Sequence, residues 1–244
     1  MSDGNAERFL DAFNRVEKTL RRDLGEQPDT PYRTLIGEAA KINHGPVSAY
    51  QHRLITFGYL RNAIIHEPDS KNSEVIARPR TDIVEEIEQI ADNLESPPTV
   101  DSVIRGEVYT VLGNQLVRNV AHEMKERDFS QAPVLTSDGM LRTLLTTNSI
   151  ARWFAEASWE NTELKDATIR GVLDYRERED GYTVLSPSSA VFDIVEAFET
   201  GTGDHIPPYA AIVTDDGTNT GAVEGIVMPY DLPAVFDALG FSRR

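Results

Sequence analysis

The sequence predicts an α+β protein of two domains, an N-terminal all-α helical bundle followed by a duplicated β-α-β-β-α unit. Three observations carry this. Apolar residues in positions 1–97 recur at helical spacing. After that the rhythm changes to short β-branched runs alternating with helices. The second rhythm is then written twice. Ser96-Pro97-Pro98 is the clearest linker, and it separates a domain of residues 1–97 from one of residues 98–244.

In the first part, Phe9, Leu10, Phe13, Val16 and Leu20 mark one face of a first helix. Gly25, Pro28 and Pro31 make Asp23 to Tyr32 a loop. A second helix holds Leu35, Ile36, Ala39 and Ile42 and ends near Asn43-His44-Gly45-Pro46. A third runs from about Val47 to Ile65, with Pro68 as its stop. A fourth carries Ile83, Val84, Ile87, Ile90 and Leu94, with Asp82 as the expected cap.

In the second part the expected order is strand 107–112, helix 115–127, strand 132–136, strand 141–146 and a helix from Ser149 to Glu156. Tyr109-Thr110-Val111-Leu112 returns as Tyr182-Thr183-Val184-Leu185, 73 residues on. Val134-Leu135-Thr136-Ser137-Asp138-Gly139 returns as Ile212-Val213-Thr214-Asp215-Asp216-Gly217, 78 residues on. Leu144-Leu145-Thr146 returns as Ile226-Val227-Met228, 82 residues on. The added residues fall in 201–208 and 218–223, which are polar or rich in Gly and Pro, where duplicated units are free to diverge. Repeat one spans about 100–160 and repeat two about 161–240.

Composition sets the outer bounds. Of 244 residues, 40% are hydrophobic and 26% charged, which suits globular domains. With no cysteine, disulfides and cysteine-based metal or nucleophile chemistry are excluded. No apolar stretch reaches the length of a membrane span, and the start MSDGNAERFL lacks a signal-peptide pattern. A cytoplasmic protein without a membrane partner is expected. The net charge of −16 argues against a nonspecific nucleic-acid binder, and DNA is not an expected partner. Trp153 and Trp159 are expected in the core, the run Arg176 to Asp180 on a solvated loop, and His205 has no metal-ligand companion at useful spacing.

The duplicated part resembles the CBS-domain pair, or Bateman module. The residues that carry the resemblance are Ala132-Pro133-Val134, Ser137-Asp138-Gly139 and Leu144 to Ile150 in repeat one. In repeat two they are Ala211-Ile212-Val213, Asp215-Asp216-Gly217 and Gly225 to Leu232. In that family the turn from last strand to last helix often holds an adenine nucleotide. The family pattern is Gly, two apolar residues, Thr or Ser, two of any kind, then Asp. A hydroxyl and a helix start suit phosphate, and a carboxylate suits the ribose hydroxyls. Here Thr146 is kept in repeat one, with Thr143 in place of Gly and Ser149 in place of Asp. Repeat two keeps Gly225 and Asp231, with Met228 in place of Thr, and Ala211 corresponds to Pro133. The resemblance implies Ala132, Pro133, Thr146, Ser149, Tyr209, Ala211, Gly225 and Asp231 as nucleotide-binding residues. It implies no required cofactor, but a regulatory AMP, ADP, ATP or S-adenosylmethionine, and a homodimer. A pair that only dimerises and scaffolds is the alternative reading of the same residues.

Leu60-Arg61-Asn62-Ala63-Ile64-Ile65-His66 ends the third helix. Arg-Asn, three residues, then His resembles the signature of HEPN domains, helical bundles of which many are metal-independent RNA endonucleases. The resemblance implies Arg61, Asn62 and His66 as catalytic residues and RNA as substrate. A string of the same kind, Arg118-Asn119-Val120-Ala121-His122, has the wrong spacing. An imidazole near its ordinary pKa can take the 2′-hydroxyl proton, a guanidinium can hold the phosphate, and an amide can orient either. Asn62 and His66, four apart, share a helix face, while Arg61 points about 100° away. The other reading is structural: Arg61 and His66 favour a helix C-terminus, and Glu67 and Asp69 offer ion-pair partners. The two function classes are thus an enzyme regulated by a nucleotide and a non-catalytic regulator whose helical domain docks a protein.

Overall fold

A computed structural model describes residues 3–42, 44–65, 77–104, 106–159, 164–177, 181–201 and 206–240. The chain divides into two compact units, Met1–Pro98 and Thr99–Arg244.

The first unit contains four helices: α1 (Asp3–Leu24), α2 (Tyr32–Lys41), α3 (Gly45–Ile65) and α4 (Thr81–Glu95). The apolar stripe of α1 turns inward, so that Phe9, Phe13, Val16 and Leu20 are buried with Leu35, Leu54, Phe57, Val84 and Ile87. Phe9 meets Phe57 edge to face at 5.7 Å between ring centres, and Phe13 lies 4.5 Å from the Tyr32 ring. Burial of such rings is the main source of cohesion here. Outside the core, Arg8 pairs with Glu88 at 2.6 Å and Arg15 with Glu95 at 2.5 Å. Partners rise together along both helices, so α1 and α4 run parallel. These pairs are largely exposed and set register more than stability. Inside, the Tyr50 hydroxyl accepts from Asn93 Nδ2 at 2.7 Å, and burial pushes its phenol up to about 12.

Two expectations for this unit change. Arg80, not Asp82, is the residue before α4, and Asp82 sits in the first turn. There its carboxylate suits the helix dipole and accepts from Arg80 Nε at 2.9 Å. The first helix also begins well before its apolar stripe, because the polar residues from Asp3 onward are sound helix formers on a solvated turn.

The second unit contains two three-stranded sheets of the same topology. In the first, β1 (Val111–Leu112) lies parallel to β2 (Gln131–Leu135), which pairs antiparallel with β3 (Leu141–Thr146). Between them comes α5 (Val117–Glu126), and after them α6 (Thr147–Trp159). The second repeats this with β4 (Tyr182–Leu185), α8 (Val191–Thr200), β5 (Ala210–Thr214), β6 (Val223–Val227) and α9 (Leu232–Ala238). The short helix α7 (Ile169–Val172) precedes β4. The predicted α+β architecture, a helical unit followed by a tandem β-α-β-β-α pair, is the observed one.

The two repeats exchange their lead-in segments. Thr99 bridges to Ala190 at the start of α8, and Val100 N–H donates to the Ser189 carbonyl at 2.9 Å. Thr168 bridges to Leu116 at the start of α5, and Arg170 N–H donates to the Gly113 carbonyl at 2.8 Å. Ile169 and Val172 therefore complete the core of repeat one. The sheets also share a cluster in which Leu141 and Leu144 pack with Ala210, Ile212 and Met228. Neither repeat closes its core alone.

The parallel pairings keep the sequence offsets, Val111 facing Val134 and Val184 facing Ile212. The hairpins differ by one step. Val134 faces Thr143, whereas Ile212 faces Ile226 rather than Gly225. The longer second turn, 215–222, is where that step is taken up. The first strand is also shorter than the expected 107–112, because only its last two residues reach a neighbour. Trp153 packs against the core as expected, but Trp159 is 86% exposed at the end of α6. That helix shows solvent an apolar stripe of Ala151, Phe154 and Ala155, with Ser158 following. No helix among the described residues is long and apolar enough to cross a membrane.

Candidate functional site

The strand-to-helix turns close in the same way in both repeats, by a side chain reaching back three residues. In repeat two, Asp231 Oδ2 accepts the Met228 N–H at 2.8 Å. In repeat one, Ser149 Oγ accepts the Thr146 N–H at 3.1 Å and donates to the Thr146 carbonyl at 2.9 Å. The Ser149 N–H in turn donates to Thr146 Oγ1 at 3.0 Å.

The chemical outcome differs. Thr146 and Ser149 are fully buried, and their hydroxyls are engaged with each other and with the turn. A carboxylate has two oxygens and about four lone-pair sites. After closing the turn, Asp231 keeps Oδ1, which makes no hydrogen bond among the described residues. Asp231 also lines a cleft of about 180 Å³ whose walls come from both repeats. Repeat one contributes Tyr109, Phe129, Gln131 and Pro133, and repeat two contributes Ile226, Met228 and Tyr230. The Tyr109 and Phe129 rings stack at 6.2 Å, and the Arg127 guanidinium lies 5.3 Å from the centre of the Tyr109 ring.

Both tyrosines are held in the neutral, donating form. The Tyr230 phenol is pushed up by partial burial and then by the Asp231 and Asp128 carboxylates. The Tyr109 phenol is pushed up by desolvation and Glu123, against an opposing effect of Arg127. Stacked rings offer a face to a flat heterocycle, and a free carboxylate oxygen accepts from hydroxyl groups. At 180 Å³ the cleft is below the range of about 300–1,000 Å³ usual for whole small-molecule pockets. It is sized for the nucleoside portion of a nucleotide, with phosphates outside.

Of the residues expected from sequence, Pro133 and Asp231 meet in this cleft. Ala132 lies in the core of repeat one, and Ala211 is buried in β5 opposite Val227. Tyr209 is half-buried against the inter-sheet cluster. Gly225 is buried, and a Cβ there would stand 2.8 Å from Ile104 Cγ2, so its bareness admits Ile104. Tyr109, Phe129, Gln131 and Tyr230 line the cleft without having been singled out. Tyr109 was visible only as the first residue of the repeated strand.

In the first unit, Arg61 and Asn62 occupy the last turn of α3, and Arg61 Nη1 donates to Asn62 Oδ1 at 3.2 Å. The 100° between their Cβ directions is bridged by the length of the arginine side chain. Both line a cavity of about 340 Å³ with Tyr32, Arg33, Ile36 and Tyr59. His66, with Glu67 and Asp69, lies outside the described residues. Among the described residues, no cluster of His, Asp and Glu could hold a metal ion.

No family model matches the chain, and no curated protein matches it. Solved structures do resemble its second part. One is the CBS domain of a CBS domain-containing membrane protein from Sphaerobacter thermophilus, 19% identical, covering 63% of this chain and 97% of that one, with a TM-score of 0.46. A second is a CBS-domain pair solved with 5′-methylthioadenosine and S-adenosyl-L-methionine, 16% identical, covering 60% and 99%, TM-score 0.43. A third is a CBS domain protein from Pyrobaculum aerophilum complexed with AMP, 13% identical, covering 59% and 99%, TM-score 0.42. The topology described above rests on the chain's own strand pairings.

Proposed function

We propose that the second unit is a CBS-type pair that binds an adenosine-type nucleotide and regulates the helical unit. The observation that carries this is Asp231, whose second carboxylate oxygen is unengaged at the wall of an aromatic-lined cleft. The adenine lies against Tyr109 and Phe129, and Asp231 accepts from the ribose hydroxyls. Only this one of the two turns serves as a site, because Thr146 and Ser149 are spent on each other. A nucleotide regulates by binding two arrangements of the protein unequally. The test is a thermal-shift panel of AMP, ADP, ATP and S-adenosylmethionine on wild type and Asp231→Ala. A ligand that binds the folded state raises the melting point with concentration. The rise is expected in wild type and absent in Asp231→Ala; no rise with any ligand rejects the proposal and leaves a scaffold.

A finer reading makes the helical unit a HEPN-like, metal-independent ribonuclease. The Arg61–Asn62 bond supports it, since it presents a guanidinium with no carboxylate partner among the described residues. His66 acts as acid or base, Arg61 holds the phosphate and Asn62 orients it, in a homodimer that joins two such motifs. The exposed stripe of α6 offers such a dimer a surface. RNA incubated with wild type and His66→Ala, in the presence of the nucleotide that shifts melting, checks it, beside sedimentation of the intact protein. Equal cleavage by the two proteins, or a monomer's mass, sinks this reading and leaves a regulator that docks a protein.

A further inference from the structure

The helical unit carries a feature that neither reading uses. Among its described residues, Arg8, Arg15, Arg21, Arg22, Arg53 and Arg80 each pair with a carboxylate. In a chain with 40 acidic and 24 basic residues that is the expected state of an arginine. Arg33 and Arg61 differ. Arg33 Nη1 donates to the Tyr59 hydroxyl at 2.8 Å and Arg61 Nη1 to Asn62 Oδ1 at 3.2 Å, both neutral groups. The two line the same 340 Å³ cavity. Its one carboxylate, Glu17, is already held by Arg21 at 2.6 Å. The charge left unmatched at this cavity is therefore positive, in a protein that is otherwise strongly acidic.

The rest of the wall is aromatic and apolar. Phe13, Tyr32, Ile36 and Ile55 line it. The Tyr32 hydroxyl donates to the Leu54 carbonyl at 3.2 Å, and burial, then Glu17, push its phenol up, so it stays neutral and fixed. Gly58 leaves that side of α3 bare; a Cβ there would stand 3.2 Å from the Tyr32 ring.

We propose that this cavity binds an aromatic phosphomonoester of mononucleotide size. The flat body lies among Tyr32 and the apolar wall, and Arg33 and Arg61 take the phosphate. Two guanidiniums match a group that carries a charge of about −1.5 to −2 near neutral pH, where a carboxylate would leave one of them unmatched. The volume exceeds that of the cleft in the second unit and falls in the range of about 300–1,000 Å³ typical of ligand pockets. The ligand comes either as a free nucleoside monophosphate or as the phosphorylated end of an RNA strand. The site shares Arg61 and Asn62 with the ribonuclease reading but does not depend on His66, nor on the cleft at Asp231.

The test is calorimetric titration of the full chain with the four nucleoside monophosphates, the matching nucleosides and a short RNA with and without a terminal phosphate. Proteins compared are wild type, Arg33→Gln with Arg61→Gln, His66→Ala and Asp231→Ala. Neither arginine is part of the buried core, so the double variant is expected to keep its melting temperature. At least one monophosphate is expected to bind wild type, His66→Ala and Asp231→Ala alike. Loss of the phosphate or of both arginines is expected to weaken it about tenfold or more, the weight of a charge-assisted hydrogen bond. Tighter binding of the phosphorylated RNA than of the monophosphate identifies an RNA end as the source; the reverse identifies the free nucleotide. Binding that the arginine substitutions leave unchanged, binding lost only in Asp231→Ala, or no binding of any monophosphate overturns the proposal.

Discussion

The two strand-to-helix turns of the second unit share a backbone device and differ in what is left over. At Thr146 to Ser149 a hydroxyl closes the turn and is consumed by it. At Met228 to Asp231 a carboxylate closes the turn with one oxygen and keeps the other. A duplicated unit can thus keep its fold in both copies and a site in only one, because capping needs one acceptor and recognition needs a second. Burial follows the same division: Ser149 is 0% exposed, while Asp231 stands at a cleft.

The sharpest way to break this comparison is to remove each closing side chain in turn. Ser149→Ala strands the buried Thr146 N–H and leaves Thr146 Oγ1 without its hydroxyl neighbour. Loss of a cap together with an unsatisfied buried donor is expected to cost about 1–2 kcal/mol. Ligand-dependent stabilisation should survive it. Asp231→Ala removes a cap at a turn flanked by the exposed Pro229 and Tyr230, where water can replace the lost acceptor. Its stability cost is expected at about 0.5–1 kcal/mol, and its nucleotide response should vanish. Denaturant melts of both variants, with and without nucleotide, separate the two roles. A nucleotide response lost in Ser149→Ala and kept in Asp231→Ala would invert the assignment.

Much of this was legible in the sequence, for a definite reason. The repeat was visible because strands alternate faces and both copies bury the same face, which preserves pattern through divergence. The helices were visible because Phe9, Phe13, Val16 and Leu20 all bury against one side. The exchange of lead-ins was not visible, since a bridge such as Leu116 to Thr168 depends on a path through space rather than on periodicity. For the site, motif position identified Asp231 but not Tyr109, Phe129 or Tyr230, which reach the cleft from two repeats. Trp159 defied the rule that tryptophans go to the core, since the last turn of α6 has no neighbour to cover it. Nor did spacing reveal the pairing of Arg61 with Asn62, because a Cβ direction does not fix where a long side chain ends.

A smaller effect sharpens the comparison one position earlier in each copy. By the sequence pattern Thr143 in β3 stands where Gly225 stands in β6. Gly225 has no side chain because Ile104 fills its place at 2.8 Å from where a Cβ would be. Thr143 has a side chain, is 4% exposed, and its hydroxyl finds no hydrogen-bond partner among the described residues. A buried hydroxyl left unpaired costs about 1–3 kcal/mol relative to an apolar group of the same shape. Valine has that shape, the same branched Cβ, and suits a strand. Thr143→Val is therefore expected to stabilise the second unit by about 1 kcal/mol, a rise in melting temperature of about 2–4 °C. Calorimetry of the intact chain reads it directly. An unchanged or lowered melting temperature would mean that the hydroxyl is bonded in solution, and that this strand of repeat one carries a polar contact that Gly225 cannot supply in repeat two.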